Sequence, residues 1–201
     1  YIRPMTSSSP EDILSSLIEA TLRTGADAAD ARISENASLS VEVRNGELES
    51  VEREESRGLS LRALVGQRQA HVSGTDLSPT ALKAMSERVV AMARLAPEDK
   101  WCGLPAASEI TSDRPDLDLG CDDTPEAPEL ERRARDMEAA AMAVAGIKQV
   151  SHSGASWNTA QSWFAASNGF AARKSSGVTS LAAVAIAERH VAEDRPRIVD
   201  L

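Results

Sequence analysis

The dipeptide Asn45-Gly46 is the feature that most constrains the fold of this 201-residue chain. Apolar and polar residues alternate before it, from Leu39 to Val43; Leu48 follows it, and the alternation resumes at Leu59. A two-residue type I′ turn needs a positive φ at both central residues, and Asn followed by Gly tolerates that conformation best. The pattern therefore predicts a tight antiparallel hairpin at this position.

The same period-two alternation continues around the hairpin and indicates further strands. Residues 29–33 and 39–43 precede the turn, while residues 59–65 and 70–72 follow it, with Gly66-Gln67 as a second turn signal. We therefore expect a meander of four or five strands.

Two helices are predicted to flank this meander. The first spans residues 10–24 after Ser9, a good N-cap residue, and the second begins after Ser78 and ends before Pro97. Both show an apolar stripe at helical spacing. Residues 5–96 are therefore predicted to form an N-terminal domain with the order helix, β-meander, helix.

The chain changes character after this first domain. Residues 97–124 carry three prolines, two glycines and eight acids against two bases, with little periodicity, which is typical of a connector over the surface. A third helix is predicted to begin at Pro125 or Pro128 and to end at Gly146. We expect residues 125–201 to be the start of a β-rich central domain, so the predicted fold class is α+β with an antiparallel sheet.

Three strand-like segments follow the third helix, at residues 147–157, 160–167 and 177–188, with Asn168-Gly169 as another turn signal. Residues 178–187 are nearly all apolar. Such a run predicts a central strand that is covered on both faces.

Charge and composition exclude several classes of function. The formal net charge is −9, and residues 97–138 hold thirteen acids and five bases, so a nucleic-acid duplex would be repelled. Aromatic residues make up 3% of the chain, too few for a platform that stacks single-stranded bases. The basic residues Arg53, Arg57, Arg62 and Arg68 are interleaved with Glu or spread over strands. We expect no direct nucleic-acid binding.

Cellular location is predicted from the cysteines and from hydropathy. Cys102 and Cys121 are the two cysteines, and no charged-then-apolar leader opens the sequence, which favours a reducing cytoplasm with free thiols. No apolar run approaches the roughly 18 residues that a membrane helix needs. A cytoplasmic protein without a membrane segment is expected.

No catalytic or metal site is predicted from the chemistry-bearing residues. His71, His152 and His190 are scattered, none is followed by Glu, and Cys102 and Cys121 lack Cys-x-x-Cys spacing. There is no Gly-x-Ser-x-Gly elbow and no Gly-Lys-Ser/Thr phosphate loop. The predicted set of catalytic, cofactor-binding and metal-binding residues is therefore empty.

The acidic run between residues 113 and 123 is the remaining candidate for a metal site. It contains Asp113, Asp116, Asp118, Asp122 and Asp123. Calcium loops need a defined ligand order with a Gly turn and a distal bidentate Glu. The run lacks that order, so solvated linker charge is the preferred interpretation.

A family resemblance is carried by motifs along nearly the whole chain. They are Val41-Glu-Val-Arg-Asn-Gly-Glu-Leu-Glu-Ser-Val51, Arg57-Gly-Leu-Ser-Leu-Arg62, Val65-Gly-Gln-Arg68, Thr75-Asp-Leu-Ser-Pro79, Gly25-Ala-Asp-Ala-Ala29, Ser153-Gly-Ala-Ser156 and Ser167-Asn-Gly-Phe170. In this order and spacing the chain resembles the TldD/PmbA family of modulators of DNA gyrase and TldD/TldE-type metallopeptidases. The Arg-Asn-Gly-Glu and Val-Gly-Gln-Arg wording is closer to the PmbA (TldE) branch.

The resemblance implies an α+β N-terminal domain, a central β-rich domain, and a C-terminal metal-binding domain that is absent from this chain. It also implies a TldD/TldE assembly that degrades unfolded peptides and processes peptide antibiotics and antitoxins. In the TldD branch a His-Glu-x-x-x-His motif and a later Cys bind zinc, whereas the TldE branch is the non-catalytic partner. None of those metal ligands maps onto this chain, so its own status as an enzyme stays open.

Two hypotheses follow from these observations. In the first, the chain is the N-terminal and central part of a metallopeptidase-family subunit, which binds unfolded peptide by strand addition and assembles with a TldD-type partner or with itself. In the second, it is a free-standing cytosolic binding or assembly module with no peptidase role. A sheet edge at residues 147–157, with Trp157, is the predicted docking surface.

Overall fold

The computed structural model describes residues 9–111, 113, 115–120 and 124–187. Its elements are α1 (Pro10–Arg23), β1 (Ala28–Arg44), β2 (Glu47–Val65), β3 (Arg68–Gly74), α2 (Pro79–Leu95), a short 3-10 helix (Ala107–Glu109), α3 (Ala127–Met142), β4 (Ile147–Ala166) and β5 (Ala171–Ala187). The five strands form one antiparallel sheet in the order β3-β2-β1-β4-β5. The predicted α+β class is confirmed.

The hairpin at Asn45-Gly46 is confirmed as a two-residue connection between β1 and β2. Both residues have positive φ, 53° at Asn45 and 74° at Gly46. These signs are the ones that a type I′ turn requires, and they match the right-handed twist of the flanking strands. The second turn, Gly66-Gln67, joins β2 to β3 with Val65 paired to Arg68.

The strands before and after the hairpin are longer and fewer than predicted. In place of four or five short strands, β1 runs for 17 residues and β2 for 19. The prediction ended each strand where the alternation of apolar residues stops. In the structure the strands continue there, because polar side chains on β1 and β2 pair with each other. Arg57 Nε lies 3.0 Å from Glu35 Oε1, and Asn36 Nδ2 donates to Ser56 Oγ at 3.4 Å.

The segments 147–157 and 160–167 are likewise one strand, β4, of 20 residues. The polar residues in its middle stay in the sheet because they find partners in β5. One example is the hydroxyl of Thr159, which donates to the carbonyl of Ser176 at 3.3 Å. The turn after β4 contains the predicted Asn168-Gly169, and Gly169 has a φ of 88°.

Contacts divide the described residues into two compact units, each discontinuous in sequence. Unit 1 contains residues 9–37, residues from 54 to 120 and residues 158–178; unit 2 contains residues 38–53, 124–157 and 179–187. The boundaries 5–96, 97–124 and 125–201 stay a prediction about sequence domains.

The core of unit 1 lies between the helices and one face of the sheet. Odd-numbered residues of β1 and β2 point toward α1 and α2 and are buried: Ala29, Ala31, Ile33, Leu59, Leu61 and Ala63. Leu14 and Leu17 of α1 and Val89 of α2 complete the same cluster. The even-numbered residues therefore lie on the opposite face of the sheet.

Side-chain caps fix the starts of the two helices of unit 1. Ser9 and Asp12 form a capping box at α1, and the hydroxyl of Ser78 accepts from the Ala81 N–H at α2. The Ser78 backbone N–H also donates to the Asp76 carboxylate at 2.8 Å, and this bond, with the Ser78 side chain, lowers the pKa of Asp76.

Unit 2 has its own buried residues, contributed by β1, α3 and β4. They are Leu39, Val41, Val43, Leu130, Ala134, Val150, Ala155 and Trp157. The Ser153 hydroxyl is fully buried and donates to the Ala134 carbonyl at 2.8 Å, which joins β4 to α3.

A buried carboxylate holds the hairpin turn in unit 2. Glu138 of α3 is 6% exposed, and its two oxygens accept the backbone N–H groups of Asn45 and Gly46, each at 2.7 Å. Hydrogen bonds to an ionised acceptor are stronger than neutral ones. The tip of the hairpin is therefore anchored to a helix about ninety residues later in the chain.

The Gly46→Val substitution tests the turn. No atom lies within 4 Å of a Cβ built at Gly46, so the cost comes from the positive φ and not from a clash. We expect the free energy of unfolding to fall by about 1 kcal/mol or more. Gly103→Val is the control, because Gly103 has the same open surroundings without positive φ. Equal urea midpoints for the two variants would contradict the turn geometry.

The Glu138→Gln substitution tests the anchor. An amide offers one acceptor oxygen where the carboxylate offers two, and its NH2 group faces a backbone donor. We expect a loss of about 1–3 kcal/mol in the free energy of unfolding by urea. Asp136→Asn on the same helix removes an exposed ion pair with Arg132 and serves as control. A cost for Glu138→Gln no larger than that of the control would show that the anchor contributes nothing.

Candidate functional site

The structure does not bring the histidines and cysteines together within the described residues. His71 is exposed on β3, and Cys102 is half-buried in residues 97–124, which we call the acidic segment. His152 is half-buried on β4, where its Nδ1 lies 3.8 Å from Glu42 Oε1. His190 and Cys121 lie outside the described residues.

Acidic groups do not form a metal site in the part of the chain that the structure describes, where no three His, Cys, Asp or Glu side chains converge. Asp116 Oδ1 instead accepts the backbone N–H of Asp118 at 3.0 Å, and the Asp113 N–H donates to Thr111 Oγ1 at 3.1 Å. Asp122 and Asp123 lie outside the described residues.

Arginines considered for phosphate binding are paired with acids. Arg57 pairs with Glu35, Arg62 with Asp30, and Arg68 with Glu98 at 3.1 Å. In each pair the carboxylate neutralises the positive charge of the guanidinium that would otherwise attract a phosphate. None of the described helices has the length and apolar character needed to cross a bilayer.

Strand β5 is not the covered central strand that its composition predicts. It is an outermost strand of the described sheet, with β4 as its strand neighbour, and residues 179–187 are exposed on both faces. We call Leu181, Val184 and Ile186 of unit 2 the β5 surface; Val184 is 53% exposed. An apolar run predicts that a strand is buried, but it does not indicate which segment buries it.

The predicted docking edge at residues 147–157 is wrong. These residues belong to β4, which lies between β1 and β5 and therefore has no free edge there. Trp157 is 4% exposed in unit 2 and belongs to its interior. The outermost strands of the described sheet are β3 and β5.

A cavity of about 440 Å³ lies in unit 1, on the face of the sheet opposite the helices. Its floor is formed by Asp30 of β1, Arg62 of β2 and Phe164 of β4. Part of its wall comes from the acidic segment, through Leu104 and Ile110. We call this cavity the Arg62 pocket.

Polar contacts define the floor of the Arg62 pocket. Arg62 Nε donates to Asp30 Oδ2 at 2.8 Å, Nη2 donates to the same oxygen, and Nη1 donates to Gln69 Oε1 at 3.2 Å. Asp30 is buried, so its charge is balanced by the guanidinium. Sequence reasoning considered Arg62 only as a phosphate ligand and missed this pairing.

The wall of the pocket is attached to the turn between β4 and β5. Asn168 Nδ2 donates to the Pro105 carbonyl at 2.9 Å, which holds the acidic segment against this turn. The rings of Phe164 and Phe170 meet edge to face with centroids 5.8 Å apart. No periodic pattern in the segment signals this contact, so the pocket could not be predicted from the sequence.

Comparison with protein-family models identifies two matches. A model described as PmbA/TldA metallopeptidase domain 1 matches residues 29–93, and one described as the PmbA/TldA metallopeptidase central domain matches residues 118–200. Metalloprotease PmbA of Escherichia coli O157:H7 is 32% identical over 110 residues, which are 54% of this chain and 24% of that protein. The match therefore spans about a quarter of that relative's length.

Solved structures share the fold. A protein described as a modulator of DNA gyrase from Bacteroides thetaiotaomicron matches with a TM-score of 0.81 and 20% identity, over 90% of this chain and 42% of its own. TldE from Thermococcus kodakarensis matches with a TM-score of 0.72 and 14% identity, over 88% of this chain and 40% of its own. Both results extend across the two units.

We expect the purified chain to hold no stoichiometric zinc, because the described histidines and carboxylates do not converge. Metal analysis of tag-free protein after incubation with zinc and desalting measures this. One tightly bound zinc per chain that is lost in His152→Ala would contradict the expectation. So would a zinc lost on replacing His190 or Cys121.

Proposed function

The chain belongs to the TldD/PmbA metallopeptidase family, and we propose that it is a non-catalytic part of a PmbA-type peptidase subunit that binds unfolded peptides and assembles with a TldD-type partner. The name of the Escherichia coli relative, a metalloprotease, supports a role in proteolysis. The proposed location is the cytoplasm.

The division of labour rests on the sequence of this chain. The family's zinc motif, His-Glu-x-x-x-His, does not occur among the 201 residues. A zinc ion held by that motif would activate water for attack on a peptide bond. In the proposed assembly those ligands come from the partner subunit, while this chain supplies surface for the substrate.

The β5 surface is the observation that carries the proposal. Val184 and Ile186 are large, apolar and about half exposed, on an outermost strand whose segment 179–187 has β4 as its neighbour among the described residues. Such a strand offers a row of backbone N–H and C=O groups to another extended chain. An unfolded peptide meets this requirement, because its own backbone groups are free to pair.

The composition of β5 fits strand addition. Main-chain hydrogen bonds supply affinity without regard to sequence, and alternate side chains then contact apolar neighbours on either face. A peptide that extends the sheet would cover Val184 and Leu181, which are exposed in this chain. Binding of diverse unfolded sequences is therefore expected, with a preference for apolar ones.

Direct binding to DNA is not part of the proposal. The ion pairs of Arg57, Arg62 and Arg68 and the net charge of −9 oppose binding to phosphates. Any connection to gyrase would then act through proteolysis of a peptide.

The Val184→Lys substitution tests peptide binding at the β5 surface. A lysine on an edge strand opposes addition of another strand, because its charge would be covered by the added chain. We expect the Kd for a labelled unfolded peptide, measured by fluorescence anisotropy, to rise about tenfold, or ~1.4 kcal/mol. Val144→Lys in the same unit, equally exposed but outside the sheet, is the control and should leave the Kd unchanged.

Cleavage of an unfolded reporter peptide separates the two hypotheses. The chain alone should hydrolyse nothing, whereas the chain extended through the domain that its relatives carry and mixed with a TldD-type partner should cleave the reporter in a zinc-dependent reaction. Metal-dependent cleavage by the chain alone would overturn the non-catalytic assignment. An inactive mixture that still binds peptide would favour the free-standing binding module.

A further inference from the structure

The Arg62 pocket in unit 1 has the properties of a ligand site. Its volume of about 440 Å³ lies in the range of roughly 300–1,000 Å³ that is usual for such sites. We propose that it receives one large apolar side chain of an extended peptide that carries a positive charge at an adjacent position. This inference rests on the proposed function and specifies the class of peptide.

The apolar residues that line the pocket determine its preference for a large apolar side chain. Phe164 and Phe170, whose rings meet edge to face, line the pocket together with Leu104 and Ile110. Filling such a cavity with a Leu, Met or Phe side chain removes apolar surface from water on both partners. Burial of such a side chain is favourable in proportion to the apolar area that it removes from water.

The charged residues that line the pocket determine its preference for a positive charge at the adjacent position of the peptide. Two carboxylates, Asp30 and Glu109, and one guanidinium, Arg62, line the pocket, so its formal charge is −1. Arg62 directs two donors to the same oxygen of Asp30, Oδ2, and a third to Gln69. Among the described residues no group donates to Oδ1 of Asp30, which favours an ammonium group over an anion as the ligand.

The pocket is formed before any ligand enters. The bond from Asn168 Nδ2 to the Pro105 carbonyl keeps the acidic segment against the sheet. A second bond, from the Ala106 N–H to Glu109 Oε2 at 2.7 Å, orients the carboxylate of Glu109. A pre-formed wall lowers the ordering cost of binding, so a short peptide can gain affinity there.

Ala166→Phe is the variant that tests occupancy. Ala166 lines the pocket at the end of β4, and a phenyl ring at this position would fill the space that the peptide side chain needs. Ala91→Phe is the matched control, because Ala91 is exposed on α2 in the same unit and does not line the pocket. Circular dichroism and urea unfolding identify any variant that fails to fold.

Three labelled peptides of the form Gly-Gly-X-Z-Gly-Gly provide the probes, with X-Z as Lys-Phe, Lys-Ser or Glu-Phe. We expect the parent chain to bind the Lys-Phe peptide at least about tenfold more tightly than either of the others. Ala166→Phe should abolish this preference, and Ala91→Phe should retain it. Glu109→Gln should reduce severalfold the preference for the Lys-Phe peptide over the Glu-Phe peptide. The preference for Lys-Phe over Lys-Ser should stay unchanged.

A peptide with benzoylphenylalanine at Z locates the bound side chain by photo-crosslinking. Cross-links to Leu104, Ile110 or Phe164 would support the proposal. Binding that Val184→Lys weakens but Ala166→Phe does not, with cross-links elsewhere, would overturn the pocket assignment and leave the proposed function intact. Failure of the parent chain to bind any unfolded peptide would overturn the proposed function and this inference together.

Discussion

The hydrogen bonds from the Asn45-Gly46 turn to Glu138 are the constraint on which the hairpin depends. The turn holds two consecutive positive φ angles, and its two N–H groups have no partner in the strands that it joins. A buried carboxylate satisfies both of them. This arrangement fixes the register of β1 against β2, because a slip by one residue would move every apolar side chain to the other face. Strand β3 pairs in turn with β2, and the Gly66-Gln67 turn sets their register by placing Val65 opposite Arg68.

Local features of the fold could be predicted from the sequence, because they depend on local chemistry. The caps at Ser9 and Ser78, the type I′ turn and the apolar stripes of the helices each involve residues a few positions apart. Strand length could not be predicted in the same way. The middle of β1 and β2 is held by Glu35 with Arg57 and Asn36 with Ser56, which are pairs between residues about twenty positions apart.

The environment of β5 illustrates a second limit of sequence reasoning. A run of Val, Ala, Leu and Ile predicts that a strand will be covered, and the physical reason is sound, since exposed apolar edges invite association. The sequence pattern does not say what covers it. Within the described residues β4 is its strand neighbour, and Val184 and Ile186 are exposed. The candidate site was missed for this reason, since the prediction assigned docking to residues 147–157, which the sheet order makes internal.

The acidic segment shows how charge that predicts a solvated connector can also shape a site. Residues 97–124 contain eight acids and two bases, whereas the charges of α3 are largely paired within the helix, as in Arg132 with Asp136 and Arg135 with Glu131. The unbalanced charge therefore belongs to the same segment that supplies Leu104, Ile110 and Glu109 to the pocket. Leu104 and Ile110 of the segment line the pocket, while Glu109 beside them is exposed, so the proposed site would be apolar at its centre and negative at its rim. Such a surface would attract a cationic peptide from a distance and select it by apolar contact once it arrives.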